Sequence, residues 1–352
     1  MRTRVVKINK NPAERDKIKE AVEVLRKGGL VAFPTETVYG LGVNLSDDKA
    51  VKKLFEVKNR PGDKNLTLLI SSVRDIDDFA TDVLPAAYRL VDKFWPGPLT
   101  VVLKSKDNST VGLRMPKSDI ALDIVKQASF PIACPSANLS GKKDPLSAQD
   151  VLEGLDGKID LILDGGKTEL GISSTVVDAR SLPFKILRKG YIDENLIKEV
   201  SSKKRVLFIC TGNSCRSVMA KALFEKKLKE KGRSDIEVFS AGMIAQSGVS
   251  ASLETKQLLE EEGIDVSTHS SQRVTDDMLK RSDLILVMER FQEEGLLKEY
   301  DFLKNRLYLL KEFSRLDKDK LEIEDPIGKG IDIYKKVFYE IKSAVERLVD
   351  LV

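Results

Sequence analysis

Histidine is nearly missing. The 352-residue chain has one, His269, so any serine–histidine or cysteine–histidine relay would have to use that residue, and a histidine-rich metal site is excluded. It lies in the polar stretch DVSTHSSQRV, where a structural role is the simpler expectation. Cysteine is almost as scarce. Cys134, Cys210 and Cys215 make neither an even disulfide framework nor a four-ligand zinc set, so reduced thiols are expected. No apolar run approaches the length of a bilayer span, and the N-terminus MRTRVVKINK lacks the apolar core of a signal peptide. Both absences point to the cytoplasm and away from a membrane. No G-x-x-x-x-G-K-[ST] run occurs, so a nucleotide would need a different cradle. What remains is 41% hydrophobic and 32% charged with a net charge of +4, the mix of a soluble globular protein that tolerates RNA without arguing for it.

The length suggests two or three domains, and the hydrophobic pattern changes once along the chain. The first part is an α/β stretch of short β-branched runs (LVAF, LTLLI, LTVVL, VGLRM, PIACP, DLILD, STVVD, FKILR) between amphipathic helices, the pattern of a mixed twisted sheet. The opening helix, NPAERDKIKEAVEVLRKGG, is expected to be capped at Asn11, with Pro12 in its first turn. DENLIKEVSSKK, residues 193–204, is polar without a strong apolar period and reads as a linker. The expected domains are therefore 1–194 and 203–352. In the second, RVLFI, IEVFS, DLILVM and RLYLL alternate with helices, as in a doubly wound parallel sheet.

CTGNSCRS, residues 210–217, holds two of the three cysteines and follows a buried strand and precedes a helix. Backbone N–H groups converge at such a helix N-terminus and bind anions. The positive potential should acidify Cys210, Gly212 and Asn213 tolerate the positive backbone angles of a curled loop, and Arg216 offers a planar fork to phosphate oxygens. Cys-x5-Arg thus lets one loop attack phosphorus while holding its oxygens. A leaving group still needs a proton, and Asp325 in IEDPIGKG is the available acid. Together with SAG at 240–242 and DLILVM at 283–288, these residues resemble the low-molecular-weight protein tyrosine phosphatases, across about residues 203–352. The resemblance implies that Cys210 is the nucleophile, Arg216 binds the phosphoryl group, Ser217 bonds the thiolate and Asp325 protonates the leaving group, within a loop completed by Thr211, Gly212, Asn213, Ser214 and Cys215. It also implies that Cys215 captures an oxidised Cys210 as a reversible disulfide, and that no cofactor is needed. Ser214 stands where tyrosine-directed members carry a bulky aliphatic, and no aromatic follows Pro326. In both respects the chain looks like the arginine-phosphatase branch. Val218 replaces the usual proline after Arg-Ser.

In the first part, PTETVYGLG, residues 34–42, reads as too polar for a core turn. EVKNRPGDKNL places Lys58 and Arg60 two apart, on one side of an extended stretch and suited to a polyphosphate. CPSANLSG, TVGLRMP, ISSTVVD and ILRKG follow. Their order resembles the YrdC-like domain of threonylcarbamoyl-AMP synthases, across roughly residues 12–192. The resemblance implies a reaction of L-threonine, bicarbonate and ATP giving threonylcarbamoyl-AMP and pyrophosphate for tRNA modification. ATP, as substrate, would be held by Lys58, Arg60, Ser136, Asn138 and Arg188 with Thr110 nearby, and Mg2+ would ride on its phosphates. L-threonine would be held by Thr35, Arg114 and Ser174. The implied partners are a phosphoprotein substrate, tRNA-modification proteins and tRNA. The rival expectations are an RNA-binding module, or a nucleotide sensor regulating a tyrosine phosphatase.

Overall fold

The computed structural model describes residues 2–9, 14–59, 66–316 and 320–352. The chain divides into two compact units, Met1–Ser201 and Ser202–Val352. Among the described residues no helix is long and apolar enough to cross a membrane.

In the first unit an eleven-stranded mixed sheet follows the order Arg4–Lys7, Leu161–Asp164, Val31–Pro34, Tyr39–Asn44, Ile132–Ala133, Thr67–Leu69, Thr110–Arg114, Leu99–Ser105, Thr175–Asp178, Lys185–Arg188, with Ala80–Thr81 beside Leu99–Ser105. Successive strand residues point to opposite faces, and both faces are covered. Val31, Phe33, Leu161 and Leu163 join one buried cluster, whereas Leu30, Ala32 and Ile162 join another. The first cluster includes Ile18, Ala21, Val22 and Leu25 of helix Arg15–Arg26, the one-face spacing of an amphipathic helix. Its cap position is Glu14; the expected Asn11 and Pro12 lie outside the described residues.

Two local expectations are corrected. Lys58 is not in an extended stretch but ends helix Asp48–Lys58, which starts where the Asp47 carboxylate accepts from Lys49 N and Ala50 N. Asn59, in the left-handed region at φ 48°, stops it. The polar segment before residue 203 is also a helix, Glu194–Ser202, with Ile197 and Val200 buried in the first unit's core. Two apolar residues three apart are enough to seat so short a helix, although they make a weak pattern in sequence.

The second unit has four parallel strands in the order Ile236–Gly242, Lys204–Cys210, Leu284–Val287, Leu307–Leu309. Val206 and Phe208 face one buried cluster together with Val337, Phe338 and Ile341 of helix Ile331–Leu348. Leu207 and Ile209 face the other, with Leu279, Leu296 and Leu303. The first strand in sequence lies between the second and third, so the connections leave it in opposite directions. A crevice opens at such a point, at the carboxyl ends of the strands, and Cys210 is the last residue of that strand.

Candidate functional site

In the second unit the loop after Cys210 curls around the sulfur. Cys210 Sγ lies 3.0 Å from Ser217 Oγ and accepts from Asn213 N at 3.3 Å. The bend falls on Asn213 at φ 54°, while Gly212 keeps an ordinary backbone angle, so one residue rather than two supplies the turn. Asn213 also holds the loop from within: its Nδ2 donates to Ser217 Oγ and Ser240 Oγ, each at 3.0 Å, and its Oδ1 accepts from Gln272 N at 3.0 Å. His269 Nε2 meets Asn213 O at 2.8 Å, a structural contact, and burial holds this imidazole below its ordinary range. The SAG segment now has a reason. Ser240 receives Asn213, and a Cβ on Gly242 would sit 2.7 Å from Thr211 O and 2.9 Å from Asn213 N, so only glycine lets the second strand approach the loop.

Arg216 opens helix Arg216–Glu230 and is buried. Its Nη1 donates to Glu289 Oε2 at 2.5 Å and to Ile323 O at 2.9 Å, and its Nη2 donates to Thr211 Oγ1 at 3.2 Å and to Asp325 Oδ2. Its Nε is buried without a protein partner. Asp325 is therefore brought to the loop from 109 residues away, and Ile323 N, donating to Met288 O at 2.8 Å, anchors the segment that carries it. Glu289 and Gln292, whose Nε2 reaches Thr211 Oγ1 at 3.1 Å, complete the setting and were not expected. Cys215 is buried and lies 3.4 Å from Tyr334 OH and 3.5 Å from Ser252 Oγ. Ser214 is half-buried, and its carbonyl accepts from Ser252 N.

In the first unit Thr35, Arg114, Ser136, Ser174 and Arg188 line one cavity, together with Thr100 and Cys134. PTETVYGLG is buried throughout, which corrects the expectation that it is too polar for the core. Its polar groups satisfy one another: Thr35 Oγ1 lies 2.8 Å from Thr37 Oγ1 and donates to Val38 O at 2.7 Å. Arg114 Nη2 donates to Glu36 Oε1 and Thr37 Oγ1, both at 2.8 Å. A Cβ on Gly40 would collide with Cys134 Sγ, so this glycine lets the strand pass the cavity wall. Burial pushes the Cys134 thiol up to about 12, which suits a wall rather than a nucleophile. Arg188 Nη2 donates to Ser174 O at 2.8 Å and Ser174 Oγ at 2.9 Å, and Thr100 Oγ1 lies 2.9 Å from the same hydroxyl. Lys58 is buried and donates to Ser136 O, and to Asn138 O at 2.6 Å; Ser136 Oγ donates to Asn138 Oδ1 at 2.7 Å. Thr110 stands apart, paired with Lys104 at the far end of the strand from Arg114, about 13 Å away at the usual rise. Arg60 lies outside the described residues. No group of three or more metal-ligating side chains occurs among the described residues.

The family model Sua5/YciO/YrdC, described as telomere recombination, matches residues 23–190, and the model for low molecular weight phosphotyrosine protein phosphatase matches residues 205–352. Threonylcarbamoyl-AMP synthase of Pyrococcus abyssi is 44% identical over 199 residues, covering 54% of this chain and 58% of that protein. A Mycobacterium tuberculosis protein provisionally given the same name is 32% identical over 200 residues, with 54% of this chain and 92% of that protein covered. The chain spans little more than half the length of the first curated relatives it matches. Among solved structures, P. abyssi Sua5 complexed with L-threonine is similar at a TM-score of 0.54 and 27% identity, covering 97% of this chain and 98% of that one.

Proposed function

Because the chain belongs to the Sua5/YciO/YrdC family through its N-terminal half and to the low molecular weight phosphotyrosine protein phosphatase family through its C-terminal half, we propose that it carries two enzymatic activities. The first unit joins L-threonine, bicarbonate and ATP into threonylcarbamoyl-AMP, with release of pyrophosphate, for the modification of a tRNA adenosine. The observation that carries this reading is the cavity itself, to which Thr35, Arg114, Ser136, Ser174 and Arg188 come from five separate segments of the chain. Arg114 Nε is buried without a protein partner and is left for a carboxylate. Arg188 braces Ser174 on the cavity wall, and Lys58 ties residues 136–138 into a fixed loop for the nucleotide. No side chain here is a covalent nucleophile, so orientation and charge would do the work. Mg2+, which neutralises phosphate charge, would be held by ATP itself.

The second unit hydrolyses a phosphoprotein. The Cys210 thiolate attacks phosphorus, forming an S–P bond as the bond to the leaving group breaks, and Asp325 gives the leaving group its proton. Water then attacks the cysteinyl phosphate, Asp325 takes up the proton, and Ser217 stabilises the departing thiolate. Asp325 rests on Arg216, so a phosphoryl group that claims the guanidinium also releases the acid beside it. Ser214 and the lack of an aromatic after Pro326 favour phosphoarginine over phosphotyrosine. Cytoplasmic residence and tRNA-modification partners accompany this reading.

The test of the first activity is pyrophosphate release by the purified chain. It should require threonine and bicarbonate together, because the adenylated species is their carbamate. Release with ATP alone, or none with all three present, would reject the assignment.

A further inference from the structure

Burying an ion pair is costly unless the remaining donors and acceptors find partners. The Arg114–Glu36 pair does not meet that condition. Both side chains are buried, Glu36 almost completely, yet they touch at one point, Nη2 to Oε1 at 2.8 Å. The same Nη2 is shared with Thr37 Oγ1. Glu36 Oε2 and Arg114 Nε are left buried with no partner, although nearly all buried polar atoms are bonded. A purely structural pair would rotate to use both edges. One orphan is an acceptor with a negative charge and the other a donor with a positive charge, side by side in one pair.

Thr35 lines the cavity that holds Arg114 and also an adjoining pocket, to whose wall Glu36 contributes. Lys117, Asp119 and Glu169 are the other charged residues of that pocket. A ligand completing both halves of the pair must carry an anion and a cationic donor about one carbon apart. The α-carbon of an amino-acid zwitterion presents that arrangement. Resting on the reading of this cavity as a threonine site, we infer that Glu36 receives the substrate's α-ammonium group on Oε2 while Arg114 receives its α-carboxylate. Glu36 then selects an amine-bearing substrate and fixes the position of its nitrogen. Arg114 alone would hold any small carboxylate.

The experiment is calorimetric titration of the full chain, without ATP, using L-threonine and 2,3-dihydroxybutanoate, in which a hydroxyl replaces the amine. In the unmodified protein threonine should bind about tenfold tighter or more, the worth of one charge-assisted contact. Glu36→Gln should remove that advantage by weakening threonine about tenfold, while the analogue changes less than about twofold; Glu36→Asp, which keeps the charge, should recover part of the loss. Equal weakening of both ligands would mean that Glu36 only holds Arg114 in place, and would overturn the inference, as would unchanged threonine affinity in Glu36→Gln. Equal affinity of the unmodified protein for the two ligands overturns it whether or not the variants fold. If the unmodified protein binds neither ligand, the threonine-site reading fails and the inference falls with it.

Discussion

Replacing Asp325 by asparagine separates the two roles proposed for this carboxylate. Its Oδ1 accepts from Ile327 N at 3.1 Å and its Oδ2 from Arg216 Nη2. Asparagine keeps an oxygen for the first contact, so the loop should hold its shape. The lost proton should lower kcat about 100- to 10,000-fold for a substrate whose leaving group needs one. A phosphotyrosine peptide is such a substrate, because tyrosine ionises only near about pH 10; a nitrophenolate departs as the anion and should show a far smaller loss. The second effect has the opposite sign. Arg216 is shared between Glu289 and Asp325, and an incoming phosphate must displace the more exposed of the two. Asp325 is one-third exposed, which limits the pair to about 1 kcal/mol after solvent screening. KM should therefore fall, by roughly fivefold at that energy. Steady-state kinetics on both substrates decides the matter. Equal kcat losses for nitrophenyl phosphate and phosphotyrosine, or a KM that rises for both, would refute the dual role.

Three other outcomes follow from the same geometry. His269 is held below 6.5 by burial, so as pH falls past that value the unfolded chain takes up the proton first and the folded second unit loses stability. Its melting temperature should drop between about pH 7.5 and about pH 5.5, and His269→Gln should flatten that slope; a His269-dependent rise on acidification would contradict the dominance of burial at this imidazole. In Ser214→Ile, an apolar wall worth about 2 kcal/mol to an aromatic ring should move kcat/KM toward phosphotyrosine and away from phosphoarginine by roughly tenfold or more, and a tenfold preference for phosphotyrosine already in the unmodified enzyme would reject the phosphoarginine reading. Lys58→Met removes charge-assisted contacts to Ser136 O and Asn138 O, each worth about 1.5–3 kcal/mol. The KM for ATP should rise about tenfold or more, and an unchanged value would take Lys58 out of the nucleotide site.

The sequence was most legible where chemistry demands contiguity. Cys210, Asn213, Arg216 and Ser217 must share one turn, so their spacing alone carries the geometry, and the alternation of strands and helices around them carries the parallel sheet. Asp325 could be named because a proton donor was still owed. Glu289 and Gln292 could not, since a carboxylate and an amide on a helix start look like ordinary surface residues until Arg216 is seen to reach them. The first unit hid more. Composition counts polar groups but not their pairings, so PTETVYGLG looked exposed, although Thr35 closes its own turn and Glu36 meets Arg114 from 78 residues away. The spacing of Lys58 to Arg60 suggests an extended backbone, but the helix signal set by Asp47 and ended by Asn59 is the stronger one. In Glu194–Ser202 two buried residues three apart decide a helix that hydrophobic patterning barely registers.

One chain is proposed to hold two chemistries on separate residues. The most direct test gives the purified protein labelled bicarbonate, L-threonine and ATP, measures labelled threonylcarbamoyl-AMP, and assays hydrolysis of an aryl phosphate in the same preparation, for the unmodified protein, Cys210→Ser and Arg114→Ala. Both activities are expected in the unmodified protein, with loss of hydrolysis alone in Cys210→Ser and loss of the adenylate alone in Arg114→Ala. Absence of labelled adenylate from the unmodified protein, or joint loss of both activities in either variant, would contradict the proposal.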